Sequence, residues 1–246
     1  MKITELQEKL EYLKLTHLRD NIGEMSNEAA HKQMSALDFF ASAVTAEAEA
    51  KRDRAVTRRV RQAHFPYIKT LDAYDWTHPK KINRDMVRHL FSLEFVRNKR
   101  NAAFLGTPGL GKTHLALALA HQACLNGCSV RFDTAINIIN RLEAASQAGT
   151  FVAAMRAYTG PDLLCIDEIG FLPIDQRGAD LLFQVISGRY ETGSIILTSN
   201  RAFAKWAEIF NNDSTITSAI LDRLLHHCDV VAIEGRSYRM KDRRQD

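Results

Sequence analysis

Residues 106–113 read Gly106-Thr107-Pro108-Gly109-Leu110-Gly111-Lys112-Thr113, a spacing that suits the phosphates of a nucleoside triphosphate. Glycines let the backbone curl until several N–H groups face one anion. The segment feeds helix-forming sequence from His114 to Ala120, so the amides and dipole of a helix N-terminus add to the attraction. Lys112 is placed for the β- and γ-phosphates of ATP, and the Thr113 hydroxyl for Mg²⁺. With His114 directly after them, these residues are the expected nucleotide contacts. The plainer alternative is a glycine-rich turn that binds nothing. Against it, the apolar run 101–105 reads as a buried strand, and strand, loop and helix follow in the order such a site requires.

Two further stretches end in side chains that could act on that triphosphate. Asp162-Leu163-Leu164-Cys165-Ile166-Asp167-Glu168 is an apolar strand closed by two carboxylates. Asp167 can hold Mg²⁺ opposite Thr113. Glu168, one residue on, is placed as the general base for the water that attacks the γ-phosphate. Acids are common at strand ends, so this pair gains its meaning from the phosphate loop before it. Ile195–Asn200 repeats the theme with an amide. Asn200 could hydrogen-bond the γ-phosphate or the attacking water, and a capping role is the alternative.

Positioning these groups takes a layered α/β domain. Strand patterns at 102–105, 129–132, 163–167, 194–199 and 230–233 alternate with helix patterns at 112–125, 135–147, 179–192 and 214–225. This predicts a parallel sheet covered by helices on both faces, the three-layer P-loop NTPase arrangement. Upstream, Leu6, Leu10, Leu13 and Leu18 recur at helical spacing, a turn is expected near Gly23, and Ser35 and Asp38 look like the cap of a long helix ending near Ala63. Residues 1–64 therefore read as a small all-helical N-terminal domain and 65–246 as the nucleotide-binding domain, with 65–100 as a connector. The aromatic cluster from Tyr67 to Trp76 fits either a stacking platform for adenine or ordinary packing, and packing is the favoured reading.

Charge is divided unevenly. Residues 1–100 carry 19 Lys and Arg against 14 Asp and Glu; residues 101–246 carry 14 against 15. Much of the excess lies in one run, where Lys51, Arg52, Arg54, Arg58, Arg59 and Arg61 fall within about half of a helix circumference at ~100° per residue. Leu37, Phe40, Ala41, Val44 and Ala48 occupy much the same sector one half-helix earlier, and are expected to pack that side against the N-terminal helix. The basic ridge suits the phosphates of double-stranded DNA; a solvated face or an acidic protein partner is the plainer alternative. The charged start at residues 1–8 does not suit a signal peptide, and no apolar run approaches the ~18 residues of a membrane span. A soluble, cytoplasmic protein without a membrane partner is expected. Its four cysteines (Cys124, Cys128, Cys165 and Cys228) form no C-x-x-C pair and read as free thiols.

The loop at 106–113, the Asp167-Glu168 pair and the sensor-like Asn200 resemble an AAA+ ATPase. More narrowly, the basic helix with Ala63–Leu71, and the stretches 167–173, 182–191, 220–227 and 234–239, resemble the IstB-like ATP-binding proteins, transposition helpers of insertion sequences. This resemblance implies an ATPase that works as a homo-oligomer with a transposase on target DNA. The related DnaC-type helicase loaders are the alternative, and a small-molecule P-loop kinase or an ATP-switched binding module are the rivals from other classes. The resemblance also implies that ATP sits between neighbouring subunits. Arg223 would then reach the neighbour's γ-phosphate, with a salt bridge to a nearby acid as its plainer role. Arg236 or Arg239 would be the place for a second sensor, although the stretch after Ile233 is too short for the helical lid common in that superfamily.

Overall fold

A computed structural model of the chain describes residues 3–238. It divides into two compact units, Met1–Arg58 and Arg59–Asp246.

The first unit is helical. α1 (Ile3–Tyr12) and α2 (Thr16–His31) are joined by a tight turn in which Lys14 has a φ of 57°. α2 runs straight through Gly23, so the turn expected there is absent. A lone glycine costs a helix only about 1 kcal/mol, and packing of Leu18 and Ile22 against Leu6 and Leu10 overrides it. α3 (Ala36–Gln62) begins at a capping box: Ser35 Oγ accepts the Asp38 N–H at 3.2 Å and donates to Asp38 Oδ2 at 2.6 Å.

The face that α3 buries is not the expected one. Leu37, Phe40 and Val44 are exposed, while Ala43 and Glu47 are buried, with Phe39 partly so. The reason is polar. α2 starts at Leu15, which offers no side-chain cap, and the free amides of a first turn need an acceptor. Glu47 Oε2 accepts the Leu18 N–H at 2.9 Å, and Glu47 Oε1 accepts from Arg54 Nη2 at 2.8 Å. Satisfying that helix end selects the Ala43–Glu47 side and leaves the apolar stripe outside.

The second unit is built on a six-stranded sheet of order β1-β6-β2-β5-β4-β3. Its strands are β1 (Lys81–Ile82), β2 (Asn101–Leu105), β3 (Val130–Thr134), β4 (Leu163–Ile169), β5 (Ser194–Ser199) and β6 (Cys228–Glu234). β2 to β6 are parallel. The expected parallel sheet is present, and β1 extends it by an edge strand that pairs antiparallel with β6 through Lys81↔Glu234 and Ile82↔Ile233. A short antiparallel edge strand is a common finish to such a sheet.

Side chains alternate between two cores, as the period of a strand requires. Phe104, Cys165 and Ile196 face the first core with α6 (Lys112–Leu125), and with α4 (Arg84–Leu90) and α5 (Glu94–Arg97) of the connector. Ala103, Ile166 and Leu197 face the second core with α7 (Ala135–Gln147), α9 (Gln176–Arg189) and α10 (Ser214–Leu225). A helix absent from the sequence reading, α8 (Phe151–Thr159), joins α7 to β4 and buries Tyr158. Thr134, Asp175 and Asp213 cap α7, α9 and α10 through their side-chain oxygens. The four cysteines are free. Among the described residues no helix is long and apolar enough to cross a membrane.

Candidate functional site

The loop after β2 curls over the start of α6 at the carboxyl edge of the sheet, where open α/β sheets bind ligands. Gly111 caps α6 with a φ of 82°, and a Cβ there would lie 2.6 Å from Tyr74 Cε2. The position therefore needs glycine on two counts, its backbone conformation and the approach of a buried ring. Tyr74 is itself fixed, because its hydroxyl donates to the Leu110 carbonyl at 3.1 Å. Burial pushes that phenol up to about 12, so it stays a donor at neutral pH. Lys112 is 9% exposed, and its Nζ donates to the Thr107 carbonyl at 2.9 Å, across the mouth of the loop. His114 turns its ring to the connector: Nε2 meets the Thr70 carbonyl at 2.9 Å, and the ring packs edge-on to Tyr74. Burial is the main cause holding its pKa below the ordinary value.

A cavity of about 380 Å³ opens beside the loop. Loop residues Pro108–Thr113 form one wall; Glu168, Phe171, Thr198 and Asn200 form another; Tyr67, Lys69, His78 and Tyr238 close it. Tyr74 and Trp76 are packed into the first core, as the packing reading expects. Residues at the end of β6 cross the loop: the Tyr238 N–H donates to the Gly109 carbonyl at 2.8 Å, and His78 Nε2 donates to the Arg236 carbonyl at 2.7 Å. Arg236 contributes its backbone here and its side chain does not line the cavity. Arg239 lies outside the described residues.

The two acids stand opposite Thr113. Asp167 is 5% exposed, and its Oδ1 accepts from Thr113 Oγ1 at 3.0 Å and from Thr198 Oγ1 at 2.5 Å. Glu168 is exposed and has a φ of 62°, a left-handed conformation that costs a non-glycine residue about 1–2 kcal/mol. Its N–H donates to Thr198 Oγ1 at 3.0 Å. Asn200 follows β5, and its Oδ1 is buried without a hydrogen-bond partner. Sequence reasoning passed over Thr198 and Tyr74. The legible signal for Thr198 was a hydroxyl inside the apolar run Ile195-Ile196-Leu197.

Arg223 is at the other edge of the sheet. It shares a small surface pocket with Asn101, Gly193 and His227, which lie at or just before the starts of β2, β5 and β6. The loop follows the end of β2, so a strand of roughly 15 Å separates the two. The guanidinium lies 4.8 Å above the Phe183 ring and donates to the Ala219 carbonyl at 3.0 Å. Among the described residues it makes no ion pair with an acid.

The basic residues of α3 divide into two sets. Arg54 is committed to buried Glu47, and Arg59 Nε donates to the Cys124 carbonyl at 3.0 Å, near the end of α6. Lys51, Arg52, Arg58 and Arg61 are exposed and make no ion pair among the described residues.

The chemistry fits a magnesium nucleotide. The cradle offers backbone amides, a lysine and an unpaired buried amide oxygen at one cavity; Thr113 and Asp167 offer the oxygens a divalent cation needs. Loop, acids and sheet together define a P-loop NTPase of the AAA+ class. The sequence profile of the IstB-like ATP binding proteins matches residues 8–246, and the chain belongs to that family. An insertion sequence IS21 ATP-binding protein of Pseudomonas aeruginosa is 39% identical over 241 residues, covering 98% of this chain and 91% of the relative. An insertion sequence IS5376 ATP-binding protein of Geobacillus stearothermophilus is 39% identical over 220 residues, 89% and 87% of the two chains. Among solved structures, the DnaC helicase loader matches with a TM-score of 0.56 at 23% identity, over 67% of this chain and 96% of that one. The replication initiator DnaA, bound to AMPPCP and single-stranded DNA, matches with a TM-score of 0.56 at 24% identity, over 68% and 50%. At those identities the likeness is one of fold.

Proposed function

We propose that this chain hydrolyses ATP as a homo-oligomer assembled on double-stranded DNA, and that the assembly helps a transposase engage target DNA. The observation that carries the reading is the separation of Arg223 from the cradle of its own chain, at opposite edges of one sheet. An arginine so placed can complete only the site of a neighbouring copy, where it would neutralise charge on the γ-phosphate in the transition state. Hydrolysis then depends on assembly. The insertion-sequence names of the relatives favour a transposase over a replicative helicase as the partner.

Within the site the roles divide by position. The loop amides and Lys112 hold the phosphates. Thr113 and Asp167 would hold Mg²⁺, which would supply positive charge against the phosphates. Asn200 orients the γ-phosphate or the water. Glu168 takes a proton from that water as its oxygen bonds to the γ-phosphorus; the bond from the γ-phosphorus to the β–γ bridging oxygen breaks, and ADP and inorganic phosphate leave. Lys51, Arg52, Arg58 and Arg61 grip the DNA backbone with little base preference.

Mixing variants tests the shared site. Glu168→Gln and Arg223→Ala are each expected to bind ATP and to hydrolyse it about 10³-fold more slowly. Mixed together with duplex DNA, they are expected to regain turnover, because an intact Glu168 from one chain meets an intact Arg223 from the other. A mixture no faster than its components would refute the shared site.

A further inference from the structure

β4 and β5 lose register in the middle of the site. Ile166 pairs with Leu197 and Ile169 with Ser199, so Asp167 and Glu168 together face the single residue Thr198. Two residues against one is a β-bulge, a device that re-aims side chains. In an unbroken strand, consecutive side chains point to opposite faces and one carboxylate would leave the cleft. Here both acids line the same recess, with Thr113 and Thr134. The bulge also breaks the ladder at Glu168, whose N–H needs an acceptor.

Thr198 supplies what the bulge lacks. It is 1% exposed, its Oγ1 accepts the Glu168 N–H at 3.0 Å, and its hydroxyl proton goes to Asp167 Oδ1 at 2.5 Å. Thr113 Oγ1 donates to the same oxygen, but Thr113 is the residue a bound cation would engage. Thr198 would then be the side-chain donor left on Asp167 Oδ1. Two residues further along, the same segment carries Asn200 and its unpartnered Oδ1.

We propose that Thr198 is a positioning residue for hydrolysis. Its hydroxyl holds the Asp167–Glu168 bulge in working geometry and ties that geometry to the strand leading to Asn200. The inference rests on Glu168 as base and Asp167 as metal holder, so Glu168→Gln is the control. Thr198→Val keeps the shape and removes the hydroxyl. It is expected to lower kcat about 10²-fold, a larger effect than the rise in KM that weaker Mg²⁺ holding brings. ATP affinity in chelator is expected to stay at the parent value, while the gain in affinity on adding Mg²⁺ shrinks about tenfold, as when the partner of a metal ligand is lost. Thr198→Ser restores the hydroxyl and is expected to recover most of both.

Three results overturn the proposal: Thr198→Val hydrolysing at the parent rate while Glu168→Gln is inactive, an unchanged Mg²⁺ gain, or Thr198→Ser as slow as Thr198→Val. Full activity in Glu168→Gln would instead overturn the reading of the site beneath it. Should Thr198→Val fail to fold, Thr198→Ala replaces it, with the same losses expected and the same results decisive.

Discussion

Changing Lys51, Arg52, Arg58 and Arg61 together to glutamine separates the cations of α3 that are free to meet DNA from those that hold the protein together. Each phosphate neutralised by a protein cation contributes about −0.9 to the slope of log affinity against log salt. Four free cations therefore account for up to about 3.6 of that slope per bound chain. Over a fourfold rise in salt, the parent should lose about 10²-fold more affinity than the quadruple variant. Fluorescence anisotropy on a labelled duplex, titrated at several salt concentrations in the presence of a non-hydrolysable ATP analogue, reads the slope directly. The companion variant, Arg54→Gln with Arg59→Gln, removes one charge paired with Glu47 and one guanidinium held against the Cys124 carbonyl. It should leave the slope nearly unchanged and lower the melting temperature instead. An unchanged slope in the quadruple variant, or a larger change in the companion, would refute the division and move the DNA contacts elsewhere.

Two other outcomes follow from buried charge. Arg189 is 1% exposed and donates to four carbonyls, those of Tyr158, Pro161, Asp162 and Ser194; burial lowers its pKa to about 10. Arg189→Met strands those acceptors, and a loss of about 3–5 kcal/mol, roughly 10 °C in Tm, is expected by calorimetry; a shift under about 2 °C would contradict the staple. Burial pushes the Glu47 carboxyl up, but the Leu18 amide and Arg54 outweigh it and leave its pKa below the ordinary value. A folded-state pKa that is lowered stabilises above the unfolded value and loses that stability as pH falls through the folded one. Glu47→Gln should thus be destabilised most at about pH 7, with the gap to the parent narrowing as pH falls below the ordinary carboxylate range, in chemical denaturation followed by helical signal; a gap that does not change with pH would refute the linkage.

The legible parts of this molecule are those whose cause is local. The phosphate loop is written in eight adjacent residues, and β5, α6, α7 and α10 begin and end where apolar runs and their caps place them. What escaped was set by partners distant in sequence. The buried side of α3 is chosen by Glu47 reaching the first turn of α2, against the apolar stripe of Leu37, Phe40 and Val44. Continuity through Gly23 depends on α1, and β1 exists only as an edge for β6. Asp167 and Glu168 were readable as acids at a strand end. The bulge that turns both into one recess depends on register with β5, which no single segment reveals.

The central claim is that the backbone cradle at Gly106–Thr113, closed by Lys112, holds ATP. Calorimetric titration of the full chain with Mg-ATP, beside Lys112→Ala, tests it most directly. Binding at about one nucleotide per chain is expected. Lys112→Ala should lose roughly 10³-fold in affinity, since an ammonium about 4 Å from a phosphate charge is worth ~4 kcal/mol at an effective dielectric of about 20. No heat from the folded parent, or equal affinity in the variant, would contradict it.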